Sequence, residues 1–197
     1  MSSRTRRSDR HLLAPFLILS GLVGLWASFE LVLAKFETLD DADAALGCDF
    51  SIVVQCGANL TSDQGAAFGF PNPLLGLAGF VAPVAVGVAL LAGATFARWF
   101  WALFNLGVAA GMAFVVWLIG QSIYVLGTLC PWCMVVWAVM IPLFLALTLR
   151  NGASGVFGER AQRLGSYLLT WLIPLTLACY LTIALLAQLR LDVLRYL

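Results

Sequence analysis

The chain has 197 residues, of which 62% are hydrophobic and 11% charged, with a formal net charge of +1. Soluble domains run at roughly 45–50% apolar and about 25% charged, and the mean hydropathy here is +0.96. These values exclude a soluble globular enzyme, a disordered chain and a nucleic-acid-binding domain. What remains is an all-α integral membrane protein.

A helix needs about 20 apolar residues to cross the hydrocarbon core. Five stretches meet that length, at about 12–36, 73–96, 99–122, 131–149 and 165–189. The runs are continuous and do not alternate, so helices are expected and a barrel is not. Only a few residues around Arg98 separate the second and third spans, which predicts a tight hairpin. The whole of 1–197 reads as one transmembrane domain, with 37–72 as its long loop.

Orientation follows from Lys and Arg in the short loops. Arg4, Arg6, Arg7, Arg10, Arg98, Arg150, Arg160 and Arg163 fall on one side, and Lys35, Arg190 and Arg195 on the other. Eight against three predicts a multi-pass protein of the plasma membrane with its N-terminus cytoplasmic. With five spans the C-terminus lies outside. The 37–72 loop is then also outside; it carries Glu37, Asp40, Asp41, Asp43, Asp49 and Asp63 and no Lys or Arg. A cleaved signal peptide is the competing reading of the N-terminus. Its apolar core is usually 7–15 residues, whereas this run is about 25 residues long and includes Phe16, Trp26 and Phe29.

Four of the five cysteines map to the outer side, where disulfides persist: Cys48 and Cys56 in the loop, Cys130 and Cys133 at the mouth of the fourth span. Cys179 lies alone midway along the fifth span and reads as a small apolar filler. In Cys130-Pro131-Trp132-Cys133, Pro131 suits the first helical position, which puts Cys130 at the N-cap. A thiolate there faces free N–H groups and the positive end of the helix dipole. A three-residue step places Cys133 roughly 4.5 Å deeper than Cys130. A lipid-soluble oxidant would meet Cys133, and a water-side thiol would meet Cys130. A structural disulfide and half of a metal site are the other readings of this motif.

Cys48 and Cys56 are flanked by Gly47 and Gly57. On one straight helix their Cα atoms would be about 12 Å apart, while a disulfide needs them within about 7 Å. Either the segment bends, or each cysteine serves a different partner at different times; a static staple is the third reading. The stretch 65–73 is apolar, broken by Gly and Pro, and predicted to lie on the membrane surface and cap a pocket between helices. Ser62 and Asn72 are its hydrogen-bonding candidates, with turn and helix-cap roles as their alternatives. Glu30 is an intramembrane carboxylate expected to pair with Lys35 or to snorkel. With His11 the only histidine, an imidazole-based site or a metal centre is not expected.

The order Cys48, Cys56, Ser62, Phe68-Gly69, Asn72, Gly76, then Cys130-x-x-Cys133 resembles the vitamin K epoxide reductase family over about residues 12–149. Phe68-Gly69-Phe70-Pro71-Asn72-Pro73 is similar to actinobacterial members, and the fifth span suits the bacterial branch. The resemblance implies a four-helix bundle around a quinone, one extra helix, and a capping extracytoplasmic loop. Bacterial members often carry a fused thioredoxin-like domain after the fifth helix. Here the chain stops at Leu197, so a separate thioredoxin-like (disulfide-bond A type) protein is the implied partner. Carried over by motif, Cys130 and Cys133 are the implied active-site pair and Cys48 and Cys56 the shuttle pair. Asn72, Ser62, Leu126 and Trp137 are the implied contacts to a menaquinone-like or ubiquinone cofactor. Trp137 stands where some members carry a Tyr, and an indole offers a different donor.

The implied reaction runs from a reduced partner to the Cys48–Cys56 disulfide, from Cys56 to Cys130, and from Cys133 to the quinone, supporting disulfide-bond formation. The bacterial disulfide-bond B family also couples thiols to quinones, but its CxxC precedes its second pair, the reverse of the order here. An outward electron conduit would need a cysteine reachable from the cytoplasm, and only Cys179 could serve. A membrane scaffold with static disulfides is the non-enzymatic reading.

Overall fold

The computed structural model describes residues 9–41 and 46–195. Arg4, Arg6, Arg7 and Asp43, used above for orientation and loop charge, lie outside the described residues, as does the side chain of Arg10. The described chain is α-helical with no strand. Its helices are α1 (Ala14–Asp40), the short α2 (Gly57–Thr61), α3 (Pro73–Leu91), α4 (Arg98–Gly120), α5 (Pro131–Ala153), α6 (Glu159–Leu169) and α7 (Leu172–Leu191). Five stretches are long and apolar enough to cross a membrane: His11–Asp40, Pro73–Leu91, Arg98–Leu126, Pro131–Ala153 and Leu172–Leu191. This is an all-α membrane protein.

Between lipid-embedded helices apolar burial supplies little drive, so close packing of small residues does the work. The α1–α3 seam shows it. A Cβ on Gly76 would lie 2.3 Å from Ser28 Oγ, and one on Gly87 would lie 2.8 Å from the Ala14 carbonyl oxygen. Only glycine allows that approach. α5 packs on α1 and α4, completing a four-helix arrangement. At the end away from the 46–72 loop, buried Asn151 donates to the Trp101 carbonyl (3.3 Å) and to Asn105 Oδ1 (3.1 Å). The Arg150 guanidinium sits 4.1 Å over the Trp101 ring. These contacts satisfy polar groups that lipid cannot and tie α4 to α5.

Two sequence expectations need correction. The second and third spans are not a tight hairpin: α3 packs on α1, α4 packs on α5, and the two make little contact with each other. The connection at 92–97 is short, but Phe100 and Phe104 of α4 line a cavity between the helices. The fifth span does not begin at Gly165 either. Residues 165–169 finish the separate helix α6, whose Arg160, Gln162, Arg163 and Ser166 make one face polar. α6 presses Gly165 onto α5, where a Cβ would lie 2.5 Å from the Ala153 nitrogen. The chain then turns at Thr170 and Trp171, and the span proper starts at Leu172. Of α7 only Ala187 is buried.

α4 runs on into a π-helical turn, Gln121–Leu126, which ends at Gly127 in the left-handed region with φ 70°. That turn delivers the chain to Cys130.

Candidate active site

Pro131 sits at the first helical position of α5, and Cys130, extended at φ −85° and ψ 122°, is its N-cap. Cys130 Sγ accepts from the Cys133 backbone N–H at 3.4 Å, as the Cys-Pro-x-Cys spacing predicts. The Cys133 thiol, with the backbone N–H groups of Cys133 and Trp132, pulls the Cys130 thiol below its ordinary pKa. Burial and the Asp49 carboxylate act the other way.

The loop segment bends, which resolves the alternatives left open by the sequence. Cys48 and Cys56 are joined in a disulfide with Cα atoms 5.8 Å apart. The bend is held by Asp49, whose Oδ1 accepts from Cys56 N (2.6 Å) and Gly57 N (3.3 Å) at the start of α2. Lys35 Nζ donates to the Leu60 carbonyl (2.8 Å) near the other end of α2. Orphan groups at both ends of the short helix are thus satisfied by charges of the matching sign.

A second set of bonds registers this loop on the approach to α5. Val54 and Leu129 form a parallel bridge, with Leu129 N donating to Val53 O at 2.7 Å and Gln55 N to Leu129 O at 3.1 Å. Asn59 of α2 donates to Thr128 Oγ1 (2.8 Å) and accepts from Ser122 Oγ (3.0 Å). The result is that Cys130 Sγ lies 3.3 Å from Cys56 Sγ. Both cysteines are fully buried, while Cys48 keeps 6% exposure and is the more outward of the loop pair. Cys130 and Cys133 are free thiols. The ligand atoms of Cys48, Asp49 and Cys56 lie within 4.8 Å of one another, but the two sulfurs are bonded to each other and offer no thiolate to a metal.

Beside these sulfurs is a cavity of about 680 Å³, lined by α1, α3, α4, α5 and the loop. Its wall is largely apolar, and Cys133 is part of it. Ser62, Asn72, Leu126 and Trp137 all line it as well. The four residues singled out as quinone contacts and the deeper CxxC cysteine therefore meet at one space. Pockets of 300–1,000 Å³ bury a drug-sized ligand, so the volume and apolar wall suit a quinone ring with part of its tail.

A family model described as the vitamin K epoxide reductase family matches residues 15–148. The chain belongs to the vitamin K epoxide reductase family. No curated protein and no solved structure matches it. Membership makes this a multi-pass membrane protein of an oxidoreductase family associated with quinones and thioredoxin-like partners. Redox-active cysteines are the chemistry such a member needs, and the loop disulfide is present.

Within this vitamin K epoxide reductase-type bundle, Asn72 and Ser62 both direct side-chain hydrogen bonds into the loop itself. Asn72 stands at the N-cap position of α3 without capping it. Its Nδ2 donates to the Gln64 carbonyl (2.6 Å) and its Oδ1 accepts from Ala67 N (3.1 Å), bracing 64–72. Ser62 Oγ donates to the Asn59 carbonyl (2.8 Å) and accepts from Gly65 N (3.1 Å), capping the turn Asp63–Ala66. Glu30 does not pair with Lys35; it accepts from the Trp26 indole at 3.0 Å. Trp26 in turn meets Trp132 edge-on, with ring centroids 5.2 Å apart. Asp49 and Asn59 are the residues sequence reasoning missed. Neither follows a local capping pattern, because their partners lie 7 and 69 residues away.

Proposed function

We propose that the chain is a quinone-linked thiol oxidase that carries electrons from an extracytoplasmic thioredoxin-like dithiol, through Cys48–Cys56 and Cys130–Cys133, to a membrane quinone. The observation that carries this reading is the 3.3 Å approach of Cys56 and Cys130, with Cys133 on the cavity wall.

A partner thiolate attacks Cys48, the more outward sulfur, and Cys56 leaves as a thiolate. Cys56 then attacks Cys130 of an oxidised Cys130–Cys133 pair, and Cys133 leaves. The partner's second thiol attacks its own mixed-disulfide sulfur and departs oxidised. Cys48 attacks Cys56, restoring the loop disulfide and expelling Cys130. Every exchange is thiolate attack through a mixed disulfide. The low pKa of Cys130 at the helix N-cap makes it a good leaving group in the last exchange.

An oxidised loop beside a reduced Cys130 and Cys133 is the state in which two electrons have reached the cavity wall. A quinone bound there supplies a two-electron acceptor. Cys133 gives up its electron pair toward the cavity as the Cys130–Cys133 disulfide forms. Two electrons and two protons leave the dithiol, so the net change is dithiol plus quinone to disulfide plus quinol. The acceptor is of the menaquinone or ubiquinone type.

The deciding experiment is oxidation of a reduced thioredoxin-like protein by the purified full chain, followed by quinone absorbance. Quinone-dependent loss of partner thiols is expected. No quinone consumption with any dithiol would end this reading.

A further inference from the structure

We propose that the side-chain amide of Gln121, presented by the π-helical turn after α4, donates a hydrogen bond to a carbonyl of the quinone ring. The assignment rests on the quinone reading above and names a residue that sets acceptor affinity.

The cavity wall is short of polar groups, and several of them are already committed. Ser62 has its hydroxyl committed to Asn59 and Gly65. Asn72 has its carbonyl oxygen and one N–H committed to the 64–72 loop, which fixes the plane of its amide. Ser122 donates to Asn59, and the Asn59 amide is shared among Thr128, Gln55 and Ser122. Gln121 also lines the cavity, as do Ser28 and Gln64, and among the described residues none of these three side chains makes a hydrogen bond. An amide that faces an apolar space without a partner loses the hydrogen bonds it had in water. A carbonyl oxygen in the cavity would restore one.

Two further observations place Gln121 at the right level and aim. It adjoins Ser122, which bonds Asn59 of α2, one turn beyond Cys56. The ring it would hold is therefore near the sulfurs and not deep in the bundle. It also opens the π-helical turn Gln121–Leu126. Such turns insert an extra residue into a helix, re-aim the side chains around them and recur at functional sites. Here the turn puts Gln121, Ser122 and Leu126 together on the cavity. A para-quinone has two carbonyls on opposite edges of the ring, which leaves the other for a second donor on the cavity wall, such as the Trp137 indole.

The test uses the purified full chain in lipid nanodiscs with dithiothreitol as donor and short-chain ubiquinone or naphthoquinone as acceptor. Gln121→Met keeps the side-chain length and removes the amide. The KM for quinone should rise about tenfold, the loss of one buried hydrogen bond. The KM for dithiothreitol and the melting temperature should stay put. If Gln121→Met does not fold, Gln121→Asn, one methylene shorter, should show the same direction of change. Infrared spectra of carbonyl-labelled quinone give a second readout: the shifted carbonyl band of the parental chain should relax in the variant. An unmoved quinone KM with an unchanged band overturns the assignment. So does an unmoved quinone KM in Gln121→Met beside a raised one in a stable Asn72→Ala chain, which would return the contact to Asn72. If the parental chain reduces no quinone, the oxidoreductase reading fails and this one falls with it; intact turnover with an unmoved KM removes Gln121 alone.

Discussion

Val54 and Leu129 pair in a parallel bridge, and the residues just beyond them, Cys56 and Cys130, bring their sulfurs to 3.3 Å. Seventy-four positions separate those two cysteines in the chain, so the contact depends on how the loop is registered against the approach to α5. The first prediction tests that register. In a Cys48→Ala/Cys133→Ala chain, Cys56 and Cys130 should oxidise to a single disulfide, detected as a linked peptide pair by mass spectrometry. Adding Asn59→Ala removes the bonds to Thr128 and Ser122, each worth about 1 kcal/mol, and should lower the yield severalfold. Failure to form the link in the double variant would mean the loop does not dock as described.

A second prediction concerns pH. Cys130 is pulled below the ordinary thiol range first by the Cys133 thiol and then by backbone N–H groups, against burial and Asp49. The sign follows. A depressed pKa favours the folded state above the ordinary thiol range, and the contribution is lost as pH falls through the shifted value. In a Cys179→Ala chain with the loop disulfide intact, ultraviolet thiolate absorbance should titrate below the usual thiol value. Cys133→Ala should move that titration up, because the largest stabilising partner is gone. Asp49→Asn should move it down. Movement of either variant in the opposite direction would contradict the electrostatics argued for the N-cap.

Topology supplies a third prediction. The Arg asymmetry predicts that both cysteine pairs face outside, and Cys48 is almost fully buried while oxidised. A membrane-impermeant maleimide should therefore leave intact spheroplasts unlabelled at Cys48 until an impermeant reductant is added, and then label it. Labelling that requires lysis would invert the orientation.

How much of this was legible in the sequence depends on whether the signal was local. The spans were legible because composition alone excludes water around them. The N-cap at Cys130 was legible because Pro131 fixes where α5 begins. The break between α6 and α7 was missed because 165–189 reads as one apolar run, although Pro174, which has no N–H for the Thr170 carbonyl four residues back, marks it locally. Asn72 and Ser62 both line the cavity, and the turn role of Ser62 follows a local pattern, whereas the bonds of Asn72 to the Gln64 and Ala67 backbone do not. Asp49 and Asn59 were invisible for the same reason: each acts across a turn of the chain that exists only once the loop has folded.

The last prediction separates the four cysteines by the work assigned to each. Cys133 lines the cavity, so the proposed relay makes it the sulfur next to the acceptor. Cys133→Ala leaves Cys130 without its disulfide partner, and quinone reduction should fall to background with every donor. Cys130 is fully buried against Cys56, so Cys130→Ala should do the same. Cys48 is the outward member of the loop pair, and Cys48→Ala should abolish oxidation of a thioredoxin-like protein. A small dithiol needs no shuttle if it can reach Cys130 directly. It should still drive quinone reduction in Cys48→Ala, at a rate set by how often the loop lifts from Cys130. Asn59→Ala loosens that loop and should therefore speed the small dithiol while slowing the protein donor. This opposite response is not expected of a static scaffold, in which all four cysteines would affect stability and none would discriminate between donors. Equal loss of small-dithiol activity in Cys48→Ala and Cys133→Ala would show the relay order to be wrong. Full activity of both with the protein donor would show the cysteines to be structural.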